Sequence, residues 1–308
     1  MLTAMWHIFV RMGILSVTIV VMAVTAHPSQ DPLEAAIRAR IADVAGARVA
    51  VAYRHLARPD SLFINADSSY HAASTMKVPV MVQLFRKIDA GELRLSDPIP
   101  LRNEFRSIVD GSPYSLSTAD DSDSLLYSRL GGSAPLEELV DAMIARSSNL
   151  ATNVLIDVAG GGEGITATMR TFGARDIQVR RGVEDGKAYR AGLNNTTTAR
   201  DMSAILAALE SGSAASPAST EAMRQILLRQ EFNDGIPAGL PAGTRVAHKT
   251  GWITATAHDA AIVYPSAGEP YILVVLTGGI PEHGDANRLI ADIAKLVHAD
   301  ATAAAPAS

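Results

Sequence analysis

Ser74 and Lys77 stand three residues apart in the stretch HAASTMKVPVM. A serine hydroxyl is a weak nucleophile until a neighbouring group removes its proton. Lysine can do that only when burial or nearby positive charge depresses its pKa. The following VQLFRKI reads as a helix, and residues three apart on a helix share a face. The start of such a helix adds partial positive charge beside the lysine. Two further stretches carry compatible chemistry. SSN, Ser147 to Asn149, lies between two amphipathic runs, and HKTGW puts Lys249, Thr250 and Gly251 on a late strand. Taken singly, each has a bland reading: a surface pair, a helix-to-helix turn, an edge strand with a solvated lysine and a glycine kink. Their occurrence together, in this order and in these element types, argues against coincidence.

Lysine usage points the same way. The chain has five lysines, Lys77, Lys87, Lys187, Lys249 and Lys295, and fills most basic positions with arginine. Arginine cannot release a proton in a protein, whereas lysine can. Keeping lysine at position 77 therefore fits a chemical need.

The elements that must position these residues follow from periodicity. DPLEAAIRARIADV spaces Leu33, Ile37 and Ile41 as on a helix. ARVAVAYRHL and SLFINA alternate around ARPD, which predicts a hairpin. A helix is expected from about Ser74 to Ile88, with Pro79 removing one backbone bond early in it. PLEELVDAMIARSS predicts a helix with Pro135 at its first position, and Thr198 with Asp201 marks another start. Between Leu101 and Gly132, DGSPYSLSTADDSDS reads as a long exposed loop. GGGEG, Gly160 to Gly164, lacks a preceding strand and reads as a helix end and turn. TRVAHKTGWI, DAAIVYP and YILVVLTGG read as neighbouring strands, and DANRLIADIAKLVHA as a closing helix. The expected fold class is α/β in the α+β sense. One antiparallel sheet is built from both chain ends and flanked by helices, and the region of about 90–215 forms an all-helical lobe. A cleft between sheet and lobe is the natural site.

With 308 residues, 48% hydrophobic and 19% charged, the chain can bury a sizeable core, and bulk disorder is excluded. A net charge of -5 leaves no basic footprint for nucleic acid. Residues 1–26 carry one arginine, an apolar run and small residues ending at Ala26, the pattern of a cleaved signal peptide; an uncleaved anchor is the alternative. Residues 31–300 are then one catalytic domain and 301–308 a frayed tail. The expected location is periplasmic or secreted, as a monomer with no lasting membrane association. There is no cysteine, and the eight histidines have no metal-ligand spacing, so neither metal nor cofactor is expected.

Ser74-Thr75-Met76-Lys77, Ser147-Ser148-Asn149 and Lys249-Thr250-Gly251 resemble the Ser-x-x-Lys, Ser-Asp-Asn and Lys-Thr-Gly set of class A β-lactamases and penicillin-binding proteins. The resemblance runs from about Asp31 to Ala299, and it agrees with the split sheet around a helical lobe. It implies that Ser74 is acylated with help from Lys77, and that Ser147 passes a proton to the leaving nitrogen. Asn149 would bind the substrate amide and position Lys77. Lys249 and Thr250 would hold the substrate carboxylate, and Gly251 would let the acyl group lie close to the strand. The N–H groups of Ser74 and Ile253 would form the oxyanion hole. The substrate would be a small β-lactam or a cell-wall peptide.

Three positions depart from that pattern. Ser148 replaces the family's middle aspartate. Glu184, in RRGVEDGKAYRAGLNNTTTARDM, lies where the deacylating glutamate is expected, yet Ala188 replaces the asparagine four residues on. Asp185 is a rival acid, Asn194 or Asn195 could supply the amide, and a solvated loop carboxylate remains open for Glu184. Where many class A enzymes have an arginine after the Lys-Thr-Gly strand, this chain reads TAHDAAIVY; Arg245 and His258 are the available substitutes. The reading is an exported serine hydrolase of class A β-lactamase type. Its alternatives are a cell-wall D,D-peptidase or esterase on the same fold, and a binding protein without activity.

Overall fold

The computed structural model describes residues 31–303, so the expected signal peptide and residues 304–308 lie outside the described residues. Strand β1 (Arg48–His55) turns alternate side chains to opposite faces. Val49, Val51 and Tyr53 enter one core, and Ala50 and Ala52 enter the other. β11 (Tyr271–Gly278) does the same with Tyr271, Leu273 and Val275 against Ile272, Val274 and Leu276. Together with β2 (Ser61–Ile64), β9 (Arg245–Ile253) and β10 (Thr256–Tyr264) they make one antiparallel sheet in the order β2-β1-β11-β10-β9. Its register sets Arg48 opposite Gly278 and Val51 opposite Ile64, so the two chain ends meet at the sheet centre.

Helices α1 (Pro32–Ala42) and α9 (His283–Ala301) cover one face with Leu33, Ile37, Leu289, Ile290 and Ile293. α7 (Ala199–Glu210) covers the other, where Ala50 and Ala52 leave room for a close approach. As expected, Thr198 caps α7, its side chain accepting from Asp201 N at 3.0 Å; such a cap stabilises by about 1 kcal/mol.

The helical lobe is built on α2 (Lys77–Asp89), which buries Val78, Val80, Met81, Val82, Leu84 and Phe85. Around it pack α3 (Leu136–Ala145), α4 (Asn149–Val158), α5 (Gly161–Arg170) and α8 (Pro217–Leu227). Short ribbons pair β3 (Tyr70–His71) with β8 (Thr196–Thr197), β4 (Pro98–Pro100) with β7 (Ser133–Pro135), and β5 (Phe105–Arg106) with β6 (Pro113–Tyr114). α6 (Gly186–Arg190) is a single turn.

Several local expectations shift. The helix expected from about Ser74 begins at Lys77, and Ala73–Met76 is a 3-10 turn. Pro79 is therefore in the first turn of α2, where a backbone N–H has no intrahelical partner, so the conflict largely disappears. Pro135 is the N-cap of α3 rather than its first residue. The polar stretch between Leu101 and Gly132 is not a bare loop. It holds β5, β6 and a 3-10 turn at Leu125–Arg129, and it buries Phe105, Leu116, Asp123 and Leu126. Its few apolar residues are spaced too irregularly to signal this. Gly160, with φ 95°, makes the expected turn between α4 and α5.

Candidate active site

Ser74 lies on the 3-10 turn and Lys77 opens α2. Side chains three apart on a 3-10 turn eclipse one another, so the pair keeps a common side. Lys77 is fully buried. Its Nζ donates to Ser147 O at 2.6 Å, Ser147 Oγ at 3.1 Å and Asn149 Oδ1 at 3.0 Å. Lys249 is equally buried, and its Nζ donates to Ser147 Oγ at 3.1 Å and Thr250 O at 2.9 Å. β9 is an edge strand, but its lysine is not solvated. Two lysines from separate elements thus converge on one serine hydroxyl.

Burial pushes Lys77 down to about 7, against the charges of Asp121 and Glu184. Burial, then the charge of Lys77, pushes Lys249 well below the usual lysine range, against Asp259. Desolvation and like charge are the two effects that free a lysine to exchange protons near neutrality.

The backbone is strained around these groups. Ala73, Ser147 and Glu184 adopt φ values of 45°, 60° and 60°. A left-handed residue other than glycine costs about 1–3 kcal/mol and persists where its surroundings impose it. At Ser147 both the carbonyl and the hydroxyl meet Lys77. Gly251 has a different constraint. A Cβ there would sit 2.7 Å from Ser74 N and 2.9 Å from Thr75 N, so the strand and the Ser74 turn abut through backbone.

The oxyanion expectation needs correction at Ile253. Ile253 pairs with Thr256 across the two-residue turn Thr254–Ala255. Such a flanking pair is hydrogen-bonded, and the alternation of antiparallel pairing then turns the Ile253 N–H toward β10. The N–H of Trp252 faces the open edge, beside the Ser74 turn, as does the Thr250 carbonyl that Lys249 reaches. Among the described residues, Thr250 Oγ1 is buried with no hydrogen-bond partner. An unpaired buried hydroxyl costs about 1–3 kcal/mol, which an incoming acceptor recovers.

A cleft of about 320 Å³ opens over Ser74 and is lined also by Asn149, Arg181, Glu184, Trp252 and Ile253. Glu184 is exposed at it, and among the described residues no hydrogen bond holds its carboxylate. Asp185 is excluded as a rival: it is buried, caps α6 through Ala188 N at 3.1 Å, and accepts from Ser107 Oγ and Ile108 N at 2.9 and 3.0 Å. Neither proposed amide reaches Glu184. Asn195 Oδ1 accepts from the N–H groups of Arg180 and Arg181 at 2.7 and 3.0 Å, and Asn194 Oδ1 accepts from Arg181 Nη2 at 3.0 Å.

The arginine substitutes also fall away. The guanidinium of Arg245 lies 5.4 Å from the Tyr264 ring centre, outside the cleft. His258 is buried, with Nε2 2.9 Å from His71 O and Nδ1 accepting from Thr277 N at 3.2 Å; burial pushes its pKa down to about 4. Beyond Thr250 lies a smaller cavity walled by Phe232, Trp252 and His283.

Sequence reasoning missed Asn153. Its Oδ1 accepts from Val183 N at 2.7 Å and its Nδ2 donates to Val183 O at 3.0 Å, pinning the residue before Glu184. The available signal was spacing: Asn153 is four residues after Asn149 on α4, hence on the same face.

This fold and this cluster define a serine hydrolase of the β-lactamase and transpeptidase architecture. The profile of the Beta-lactamase enzyme family matches residues 32–301, and the chain belongs to that family. A β-lactamase of Rhodobacter capsulatus is 31% identical over 260 residues, covering 80% of this chain and 82% of its own. Among solved structures, a β-lactamase from Sphaerobacter thermophilus is 29% identical with a TM-score of 0.75, covering 89% of this chain and 98% of its own. PBP-A is 25% identical with a TM-score of 0.75, covering 87% and 95%; a mutant of PBP-A has been solved as an acyl-enzyme complex with penicillin G.

Proposed function

We propose that this protein is an exported class A-type β-lactamase that hydrolyses the β-lactam amide through an acyl-enzyme on Ser74. The observation that carries the reading is the convergence of the buried Lys77 and Lys249 on Ser147 Oγ, each at 3.1 Å. Lys77, with its pKa near 7, removes the Ser74 proton as the oxygen attacks the carbonyl. The N–H groups of Ser74 and Trp252 receive the developing oxyanion. The proton returns through Ser147 to the departing ring nitrogen, Asn149 binds the amide side chain, and Lys249 with the unpaired Thr250 hydroxyl takes the substrate carboxylate. Glu184 then activates water against the ester.

A second reading has specific support. Asn153 grips Val183 rather than Glu184, and Glu184 is exposed, its carboxylate unheld among the described residues. A D,D-peptidase or penicillin-binding protein on this fold would acylate and release slowly. The deciding experiment is turnover of a chromogenic cephalosporin by the mature protein, beside a cell-wall peptide and a simple ester. The lactamase reading expects cephalosporin turnover by wild type. Glu184→Gln should give a stopped-flow burst with a persistent adduct. A wild type that holds penicillin indefinitely gives the site to the peptidase. A Glu184→Gln protein that clears its adduct as fast as wild type removes Glu184 as the base.

The export part of the reading rests on residues 1–26. Mass spectrometry of the exported protein should find an N-terminus near His27; an intact Met1 in a membrane fraction would favour an anchor.

A further inference from the structure

We propose that Asp121 is a positioning residue for acylation: its carboxylate, from outside the Ser147-Ser148-Asn149 motif, fixes Asn149 and supplies the countercharge to Lys77 that Ser148 cannot. This rests on the reading that Lys77 assists acylation of Ser74.

The geometry begins at the N-terminus of α4, where the first backbone N–H groups lack intrahelical partners. Ser148, at the N-cap, serves only Ala151 N, at 3.3 Å. Asp121 serves the two before it, accepting from Asn149 N and Leu150 N at 2.8 Å each. Its carboxylate is itself fixed by Tyr127 OH at 3.0 Å and Asp123 N at 3.1 Å. The adjoining residues hold the same turn. Asn149 Nδ2 donates to Asp120 O at 3.3 Å, which leaves Oδ1 to face Lys77. Ser122 Oγ lies 2.8 Å from Arg146 O and 3.0 Å from Ser147 O, so it shares the Ser147 carbonyl with Lys77. Asp123 accepts from Arg146 Nε at 2.9 Å. Residues 120–123 are therefore a clamp across the turn that carries Ser147 and Asn149.

The charges that act on Lys77 come from three directions: Asp121 in this clamp, Glu184 ahead of α6, and Lys249 on β9. Asp121 is hydrogen-bonded in place, whereas Glu184, among the described residues, is not. Losing Asp121 lowers the pKa of Lys77, because the ammonium loses an anionic neighbour. An acylation rate that needs neutral Lys77 then keeps its acidic limb at a lower pH.

The test is the rate of acylation by a fluorescent penicillin across the neutral pH range, for wild type, Asp121→Asn and Asp121→Glu, each checked by thermal melting. Asp121→Asn should acylate about fivefold more slowly on the high-pH plateau, the effect of one weakened cap expressed as a rate, with its acidic limb moved to lower pH. Asp121→Glu should return the limb toward its wild-type position. An unmoved limb in a folded Asp121→Asn protein overturns the proposal, whether the rate is unchanged or reduced equally at every pH, since the latter is what a simple helix cap does. If Asp121→Asn does not fold, Asp121→Ser, which also removes the charge but keeps a capping oxygen, carries the same test: an acidic limb moved to lower pH supports the proposal, and an unmoved limb overturns it. A wild type that takes no penicillin adduct would overturn the acylation reading, and this inference with it.

Discussion

Alanine at position 74 abolishes the covalent penicillin adduct and lowers turnover by at least roughly 10⁴-fold, the scale on which serine hydrolases lose activity with their nucleophile. The fold should survive. Ser74 is only half-buried, and its turn meets β9 through backbone, where Gly251 abuts Ser74 N and Thr75 N. The lysine cluster is closed on Ser147 and Asn149 without the Ser74 hydroxyl. Intact-protein mass spectrometry after penicillin, with a melting curve, checks both halves. Wild-type turnover by a folded Ser74→Ala protein would sink the mechanism.

Lys77→Arg is expected to slow acylation by at least about a hundredfold, the lower range for losing a general base. Arginine keeps the positive charge but cannot give up its proton. The pH profile separates this from a packing defect. In wild type, neutral Lys77 gains population as pH rises through about 7, so acylation should rise there. The arginine variant should lose that limb. Near-normal acylation by the variant would make Lys77 only an electrostatic neighbour.

The residues that make the cluster were legible in the sequence because each belongs to a short motif on a periodic element. Ser74, Lys77, Ser147, Asn149, Lys249, Thr250 and Gly251 do lie around one cleft or in its wall. The sheet was legible because alternation survives even where both faces are buried, as Ala50 and Ala52 alternate with Val49, Val51 and Tyr53. Ile253 was misassigned because hydrogen-bond direction depends on where the turn closes, and the side-chain pattern does not encode that. Asp121 and Asn153 were missed for a related reason. Their partners are backbone groups distant in sequence, and a polar loop that caps a helix has the same composition as one in water. Arg245 and His258 failed because residue type alone does not say whether a cation stacks on a ring or a histidine bonds to backbone.

The meeting of both chain ends at the centre of the sheet bears on how the protein reaches its native state. β1 lies between β2, its neighbour along the chain, and β11, which is more than two hundred residues away. A chain emerging from its N-terminus can form the β1–β2 hairpin early, but one edge of β1 stays open until almost all of the polypeptide is made. Closing so long a loop carries an entropic cost before the new pairing gives anything back. Meanwhile Val49, Val51 and Tyr53 lack the cover of α9. Joining the ends would change this. α1 and α9 pack together, with Arg40 bonded to Asp292 at 2.7 Å. A circularly permuted chain opened in the exposed turn between β10 and β11 would translate β11, α9, α1 and β1 in succession, turning the longest pairing of the sheet into one of its shorter ones.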